Sequence, residues 1–157
     1  MAKIESICLI VKEGRELLMA LKQEGRGAGN LNAPGGKLEE GESLENSVAR
    51  EVMEEFAVRV DPSKLEKVAI IHFYFGETPG PEVHVFLTGE WSGQPRESKE
   101  MGNPTWYEIS DLPWDKMWLA DRDWMPVVFS GEKIHWSIQY SANFNSVLRI
   151  VKHDLNF

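Results

Sequence analysis

The chain has 157 residues, 42% hydrophobic and 27% charged, with a net charge of −8; this fits one globular domain spanning 1–157 and excludes disorder of the whole chain. So acidic a protein repels nucleic acid and anionic membranes, so neither is expected as a stable partner unless a bound cation intervenes. The single cysteine, Cys8, rules out an intramolecular disulfide, and no apolar run approaches membrane-spanning length, so a cytoplasmic protein is expected.

The stretch "ESICLIVKEGRELLMALKQ" places two apolar runs around the turn-like "KEGRE" and predicts a β-hairpin with a buried first strand; Cys8 lies in that strand and is expected to act as a small hydrophobe. "EGRGAGNLNAPGG" is expected to be loop throughout, because glycines crowd it; no P-loop or G-x-G-x-x-G pattern fits. From Ser43 the period changes. Leu44, Val48, Val52 and Phe56 recur four apart and predict a helix with one apolar face, capped by Ser43. "KLEKVAIIHFYF" and "EVHVFLTGEW" read as strands around a turn over "GETPGP", and "PTWYEIS" as another strand. Asp121 is expected to start a short helix carrying Trp124, Val127 and Val128 and ended by Gly131; "KIHWSIQYS" and "SVLRIVKHD" then pair across "ANFN". Strands on both sides of one helix, with a second helix near the end, indicate a mixed α/β or α+β domain.

The first helix carries the chemistry. Positions three and four apart share a face, so Glu51, Glu54 and Glu55 crowd together, and like charges at that spacing cost roughly 0.2–0.5 kcal/mol per pair. A solvated acidic face is one reading. The other is a metal site, favoured by the upstream "GGKLEEGE", whose paired glycines permit a tight turn returning carbonyls and Glu42 toward the same helix. Hard cations take oxygen ligands and no zinc-like grouping of Cys and His occurs, so magnesium or manganese is the expected metal and a phosphate compound the expected substrate. A calcium-binding acidic helix is a further alternative, disfavoured because the D-x-D-x-D-G loop of an EF-hand is missing.

These residues resemble the Nudix box, G-x5-E-x7-R-E-U-x-E-E-x-G-U with U a bulky aliphatic. Gly36, Glu42, Arg50, Glu51, Val52, Glu54, Glu55 and Val58 match in register, and Ala57 stands where glycine is usual. The resemblance implies a Nudix α/β/α sandwich with a central mixed sheet, hydrolysing a substituted nucleoside diphosphate with Mg2+ or Mn2+. It further implies Glu51, Glu55 and the Gly35 carbonyl as metal ligands, Glu54 as a third ligand or the base, and Arg50 as the residue orienting the glutamates. Which glutamate takes the proton is left open. "GAGNLNAPGGK", "VHVF", "ESKEM" and "DKMWLADRDWMP" extend the similarity to the MutT-type branch acting on oxidised purine nucleoside triphosphates such as 8-oxo-dGTP.

That branch implies a monophosphate and pyrophosphate as products, Asn32 on the base, Lys22 near the nucleotide, Glu100 as a metal ligand or base, Trp118 stacked on the base and Asp121 on the purine edge. Each has a structural alternative: Trp118 as core, like Trp91, Trp106, Trp124 and Trp136; Asn32 as a turn residue; Lys22 as a solvated strand end. Two departures bear on the base. Ala120 replaces one of two adjacent aspartates, with Asp123 not expected to substitute for it. His72 and Tyr74 are expected in the pocket where phenylalanines are usual, His72 otherwise being a satisfied core group; His84 is expected to be structural. Other Nudix specificities (RNA 5′-pyrophosphate, ADP-ribose, nucleoside diphosphate sugar) are the alternatives, then a non-catalytic binding module, which intact box glutamates disfavour. A monomer is expected, with a dimer as the alternative.

Overall fold

The computed structural model describes residues 3–157. The hairpin forms as expected: β1 (Ile4–Lys12) and β2 (Glu16–Leu21) turn at Glu13 and Gly14, both with positive φ (55° and 67°), the conformation that matches strand twist in two-residue turns. The following glycine-rich segment is not entirely loop. It contains two short strands, β3 (Leu31–Asn32) and β4 (Gly35–Lys37), which the neighbours β2 and β1 impose by antiparallel pairing despite poor strand propensity.

Helix α1 (Leu44–Phe56) starts on Ser43, whose hydroxyl accepts the Asn46 N–H at 3.1 Å, and buries Val48, Val52 and Phe56. It ends on Ala57 at φ 58°, ψ 30°, the left-handed cap expected of glycine. An alanine there costs about 1–2 kcal/mol of backbone strain, and the chain adopts it nonetheless. Strand β5 (Glu66–Phe75) pairs with β6 (Thr78–Thr88), so the expected turn over 76–81 is shorter: only Gly76 and Glu77 turn. Pro79 and Pro81 are tolerated inside β6 because the β1 ladder begins only at Glu82. Next come β7 (Thr105–Glu108), α2 (Asp121–Phe129), β8 (Ile134–Tyr140) and β9 (Val147–Lys152).

The strands form one mixed sheet in the order β3-β2-β1-β6-β5-β8-β9, with β4 on β1 and β7 on β2; β1·β6 and β5·β8 are parallel. Alternation along β1 reveals the layers. Leu9 and Val11 share a core with Trp124, Met125 and Val128 of α2, whereas Cys8 and Ile10 pack with Val48, Val52 and Phe56 of α1. The helices therefore cover opposite faces, the expected α/β/α sandwich. Cys8 is fully buried, its thiol pushed up to about 12 by burial, so it is inert packing. Trp124 and Trp136 are core, while Trp91 and Trp106 are only half-buried and lean on each other with centroids 4.9 Å apart. Among the described residues no helix is long and apolar enough to cross a membrane.

Candidate active site

The glycine turn and α1 build one wall of a cleft of about 960 Å³. A side chain at Gly35 is excluded by sterics, because a Cβ there would enter the Ser6 backbone, and a Cβ on Gly36 would displace the Glu51 carboxylate. Two bare backbones therefore pass directly beneath the acidic face. The Gly35 N–H donates to Glu55 Oε1 at 2.9 Å. Arg50 donates to Glu42 Oε1 at 2.8 Å, to Glu51 Oε1 at 3.0 Å, to Glu54 Oε2 at 3.3 Å and to the Lys37 carbonyl at 3.2 Å. One guanidinium thus ties the "GGKLEEGE" turn to two of the three helix glutamates.

This arrangement sets the charges. Hydrogen bonding to Arg50 holds Glu42 down at about 2, so it is a permanent partner for that arginine. Burial raises Glu51, against the pull of Arg50, and raises Glu55 further, with the adjacent Glu100 and Glu51 carboxylates adding to the effect. Oxygen donors from Glu51, Glu54, Glu55, Glu100 and the Gly35 carbonyl border one cleft, a set chemically matched to a hard divalent cation. Among the described residues no three carboxylate, imidazole or thiol groups already converge on one point, since Arg50 draws Glu51 and Glu54 while the Gly35 N–H draws Glu55.

The far wall is aromatic. Trp118, Phe73, Phe75 and Tyr140 border the same cleft with Lys22, Asn32 and Asp121. Trp118 is half-buried, with its ring centroid 6.3 Å from Phe75 and 5.6 Å from Tyr140, so it is a cleft wall with an open face rather than sealed core. The Gly27 backbone, at φ 86°, passes so near that an added Cβ would meet the indole nitrogen at 2.8 Å. Asn32 Nδ2 donates to the Asn30 carbonyl at 3.0 Å, which orients its oxygen. The segment carrying Trp118 and Asp121 is anchored by the Ala120 N–H donating to the Tyr140 hydroxyl at 2.9 Å. Ala120 is fully buried and Asp123 is exposed outside the cleft, so Asp121 is the carboxylate that this segment brings to the wall.

Burial pushes Asp121 up to about 7, although the Trp124 indole N–H, 3.1 Å away, favours its ionised form. Between roughly pH 4 and 7 the folded chain retains a proton that the unfolded chain has released, so this group's contribution to stability falls as pH rises through that window. Asp121→Asn keeps the acceptor for Trp124 and removes the slope. The variant is expected to gain on the order of 2–4 kcal/mol over the parent above pH 7, and little near pH 4. Denaturant midpoints at pH 4.5 and pH 8 (about these values, chosen to bracket the window) check this; an equal gain at both would show an ordinary aspartate.

One expectation is overturned. His72 and Tyr74 do not face the cleft; Ile71, Phe73 and Phe75 do, and strand alternation sends His72 and Tyr74 to the opposite face. The phase was hidden because Val68, Ala69, Ile70 and Ile71 are all buried, leaving β5 as a continuous apolar run without period. The cleft wall is consequently apolar where polar groups were expected. Sequence reasoning also missed Arg26, which borders the cleft with its guanidinium 5.6 Å from the Phe75 ring centroid; nothing in a glycine-rich loop marks it.

Residues 2–128 match the family model described as NUDIX domain. The chain is 38% identical over 133 residues to the oxidized purine nucleoside triphosphate hydrolase of Danio rerio, covering 84% of this chain and 83% of that one. It is 35% identical over 134 residues to the protein of the same name from Mus musculus, covering 83% and 84%. Among solved structures, a MutT protein from Bacillus halodurans superposes with a TM-score of 0.80 at 25% identity, covering 96% of this chain and 97% of that one.

Proposed function

The chain belongs to the Nudix family of hydrolases, and from that premise we propose that it converts oxidised purine nucleoside triphosphates into the monophosphate and pyrophosphate. The observation that carries this reading is the joining, in one cleft, of an all-oxygen donor set to an aromatic wall that also bears Asp121. Its relatives in Danio rerio and Mus musculus bear names for the same activity.

In this reading Glu51, Glu55 and the Gly35 carbonyl, with whichever of Glu54 and Glu100 is not the base, would hold the divalent cations that Nudix hydrolases use, here magnesium or manganese. When bound, such a cation neutralises polyphosphate charge and makes water a nucleophile near neutral pH. Arg50 positions Glu51 and Glu54 through its hydrogen bonds, and the Gly35 N–H positions Glu55. The proton of the attacking water passes to Glu54 or Glu100, the two exposed carboxylates, from which it can reach solvent. Lys22 adds positive charge beside the phosphates. Trp118 stacks on the base while the Asn32 oxygen and Asp121 meet its edge. A carboxyl titrating near 7 both donates and accepts, which suits a purine face that presents an N–H beside a carbonyl.

Assay of oxidised and ordinary purine triphosphates, ADP-ribose, a nucleoside diphosphate sugar and 5′-triphosphate RNA with magnesium, with products identified, tests the proposal. The expected result is pyrophosphate release with preference for the oxidised purines. Turnover of the sugar or RNA compounds alone would overturn it. Trp118→Ala is expected to raise KM by about 5- to 150-fold, the equivalent of roughly 1–3 kcal/mol of stacking, with kcat little changed. A lowered melting temperature with unchanged kinetics would make Trp118 a packing residue instead.

A further inference from the structure

The hairpin that joins β8 to β9 runs through Ser141, Ala142, Asn143, Phe144, Asn145 and Ser146. The Phe144 N–H donates to the Ser141 carbonyl at 2.9 Å, and Phe144 itself sits at φ 67°, in the left-handed region. Glycine or asparagine is the ordinary occupant of such a place in a hairpin. Asparagine stands on either side of it, yet a bulky aromatic residue holds the position, where its Cβ crowds the backbone. Burial does not offset this strain, because Phe144 is 43% exposed.

The tip is built to keep the residue there. The Ser141 N–H donates to the Ser146 carbonyl at 2.8 Å, and the Ser146 N–H donates to the Ser141 hydroxyl oxygen at 3.1 Å. The Asn143 side-chain oxygen accepts the Ser141 hydroxyl at 2.7 Å and the Asn145 N–H at 3.1 Å. The hairpin is also fixed to the turn between β5 and β6: the Gly76 N–H donates to the Tyr140 carbonyl and Gln139 Nε2 donates to the Gly76 carbonyl, both at 2.8 Å. An unfavourable backbone conformation that its surroundings over-determine points to a use for the side chain. The Phe144 ring centroid lies 4.5 Å from that of Phe75 and 6.0 Å from that of Trp118. Those two rings border the cleft, and Phe144 lies against them from outside its lining.

Trp118 stands between the short helical turn Trp114–Lys116 and α2, so no regular element orients its side chain. The Gly27 backbone closes its nitrogen edge, and Phe75 and Tyr140 flank it from the sheet. Phe144 adds the contact from the hairpin side. We propose that Phe144 is a positioning residue for base recognition: it holds the Trp118 and Phe75 rings in the orientation that receives a purine, so that the wall is ordered before substrate arrives. This inference rests on the reading of Trp118 as the surface on which the base stacks. A ring already ordered in the free protein loses little rotamer freedom on binding, which lowers KM. The glutamates lie on the other wall, so kcat is not expected to depend on Phe144.

Phe144→Gly tests this, because it removes the ring and relieves the backbone together; glycine adopts positive φ freely. Its KM for 8-oxo-dGTP is expected to rise about 2- to 12-fold, the equivalent of one lost aromatic pair, with kcat unchanged and a melting temperature close to the parent's. Phe144→Ala is expected to show the same rise in KM but a lower melting temperature, since alanine keeps the strain, and Phe144→Tyr is expected to retain the parent's KM. For deoxyribose triphosphate, which has the phosphates and no base, KM is expected to be the same in the parent and every variant. An unchanged KM in Phe144→Gly, or an equal rise with the base-free compound, overturns the inference. So does a rise in KM that follows the melting temperature across the variants, which marks a packing residue. A parent inactive on purine triphosphates overturns the functional reading, and this inference with it; an active parent with unmoved variants overturns this inference alone.

Discussion

Glu54→Gln is expected to lower kcat on a purine triphosphate by about 10²- to 10⁴-fold, the range for loss of a positioned proton-transfer group, without loss of the fold. Glu54 is exposed, and its side-chain hydrogen bonds are those from Arg50 Nη1 at 3.3 and 3.4 Å. Substitution removes charge at nearly constant volume, so packing is untouched. Arg50 keeps Glu42, its partner at 2.8 Å, and the glycine turn stays tied to the helix. Steady-state kinetics at saturating magnesium, with melting temperatures alongside, provide the check. Turnover within a few-fold of the parent would remove Glu54 from the reaction and leave the proton transfer to Glu100.

Alanine at the two adjacent glycines is expected to separate stability from catalysis. A Cβ on Gly35 meets the Ser6 carbonyl and the Ile7 Cα, which belong to the backbone of a paired central strand and cannot yield cheaply. Gly35→Ala is therefore expected to destabilise by about 1–3 kcal/mol or more, as overpacking does. A Cβ on Gly36 meets only the end of the Glu51 side chain, which can swing away. Gly36→Ala is expected to change the melting temperature little while lowering kcat/KM by more than about tenfold, since a displacement near 1 Å at a reacting centre costs on the order of 100-fold. Urea midpoints and kinetics on both variants test this, and equal loss of stability in the two would show that Glu51 cannot move.

The wild-type cap at Ala57 shows how far the helix could be anticipated from local pattern. The 4-residue spacing of Leu44, Val48, Val52 and Phe56 and the Ser43 cap were legible because each depends on residues within a few positions, whereas the left-handed exit was not, because alanine carries no local signal for it. The acidic set was legible for the same reason: Glu51, Glu54 and Glu55 share a face by helix geometry alone. Lys22, Asn32, Trp118, Asp121 and Glu100 came from family resemblance, and all five border the cleft. His72 failed because burial on both sides of β5 erases the alternation that would tell one face from the other.

Composition, helix periodicity and box spacing were enough to indicate an α/β domain with Glu51, Glu54 and Glu55 clustered on one helix face, since these are properties of neighbouring residues. The sheet decided the rest. Partners distant in the chain set the phase of β5 and made strands of Leu31–Asn32 and Gly35–Lys37. Pairing register is a contact between segments far apart in sequence, and neither segment alone carries the information that chooses it.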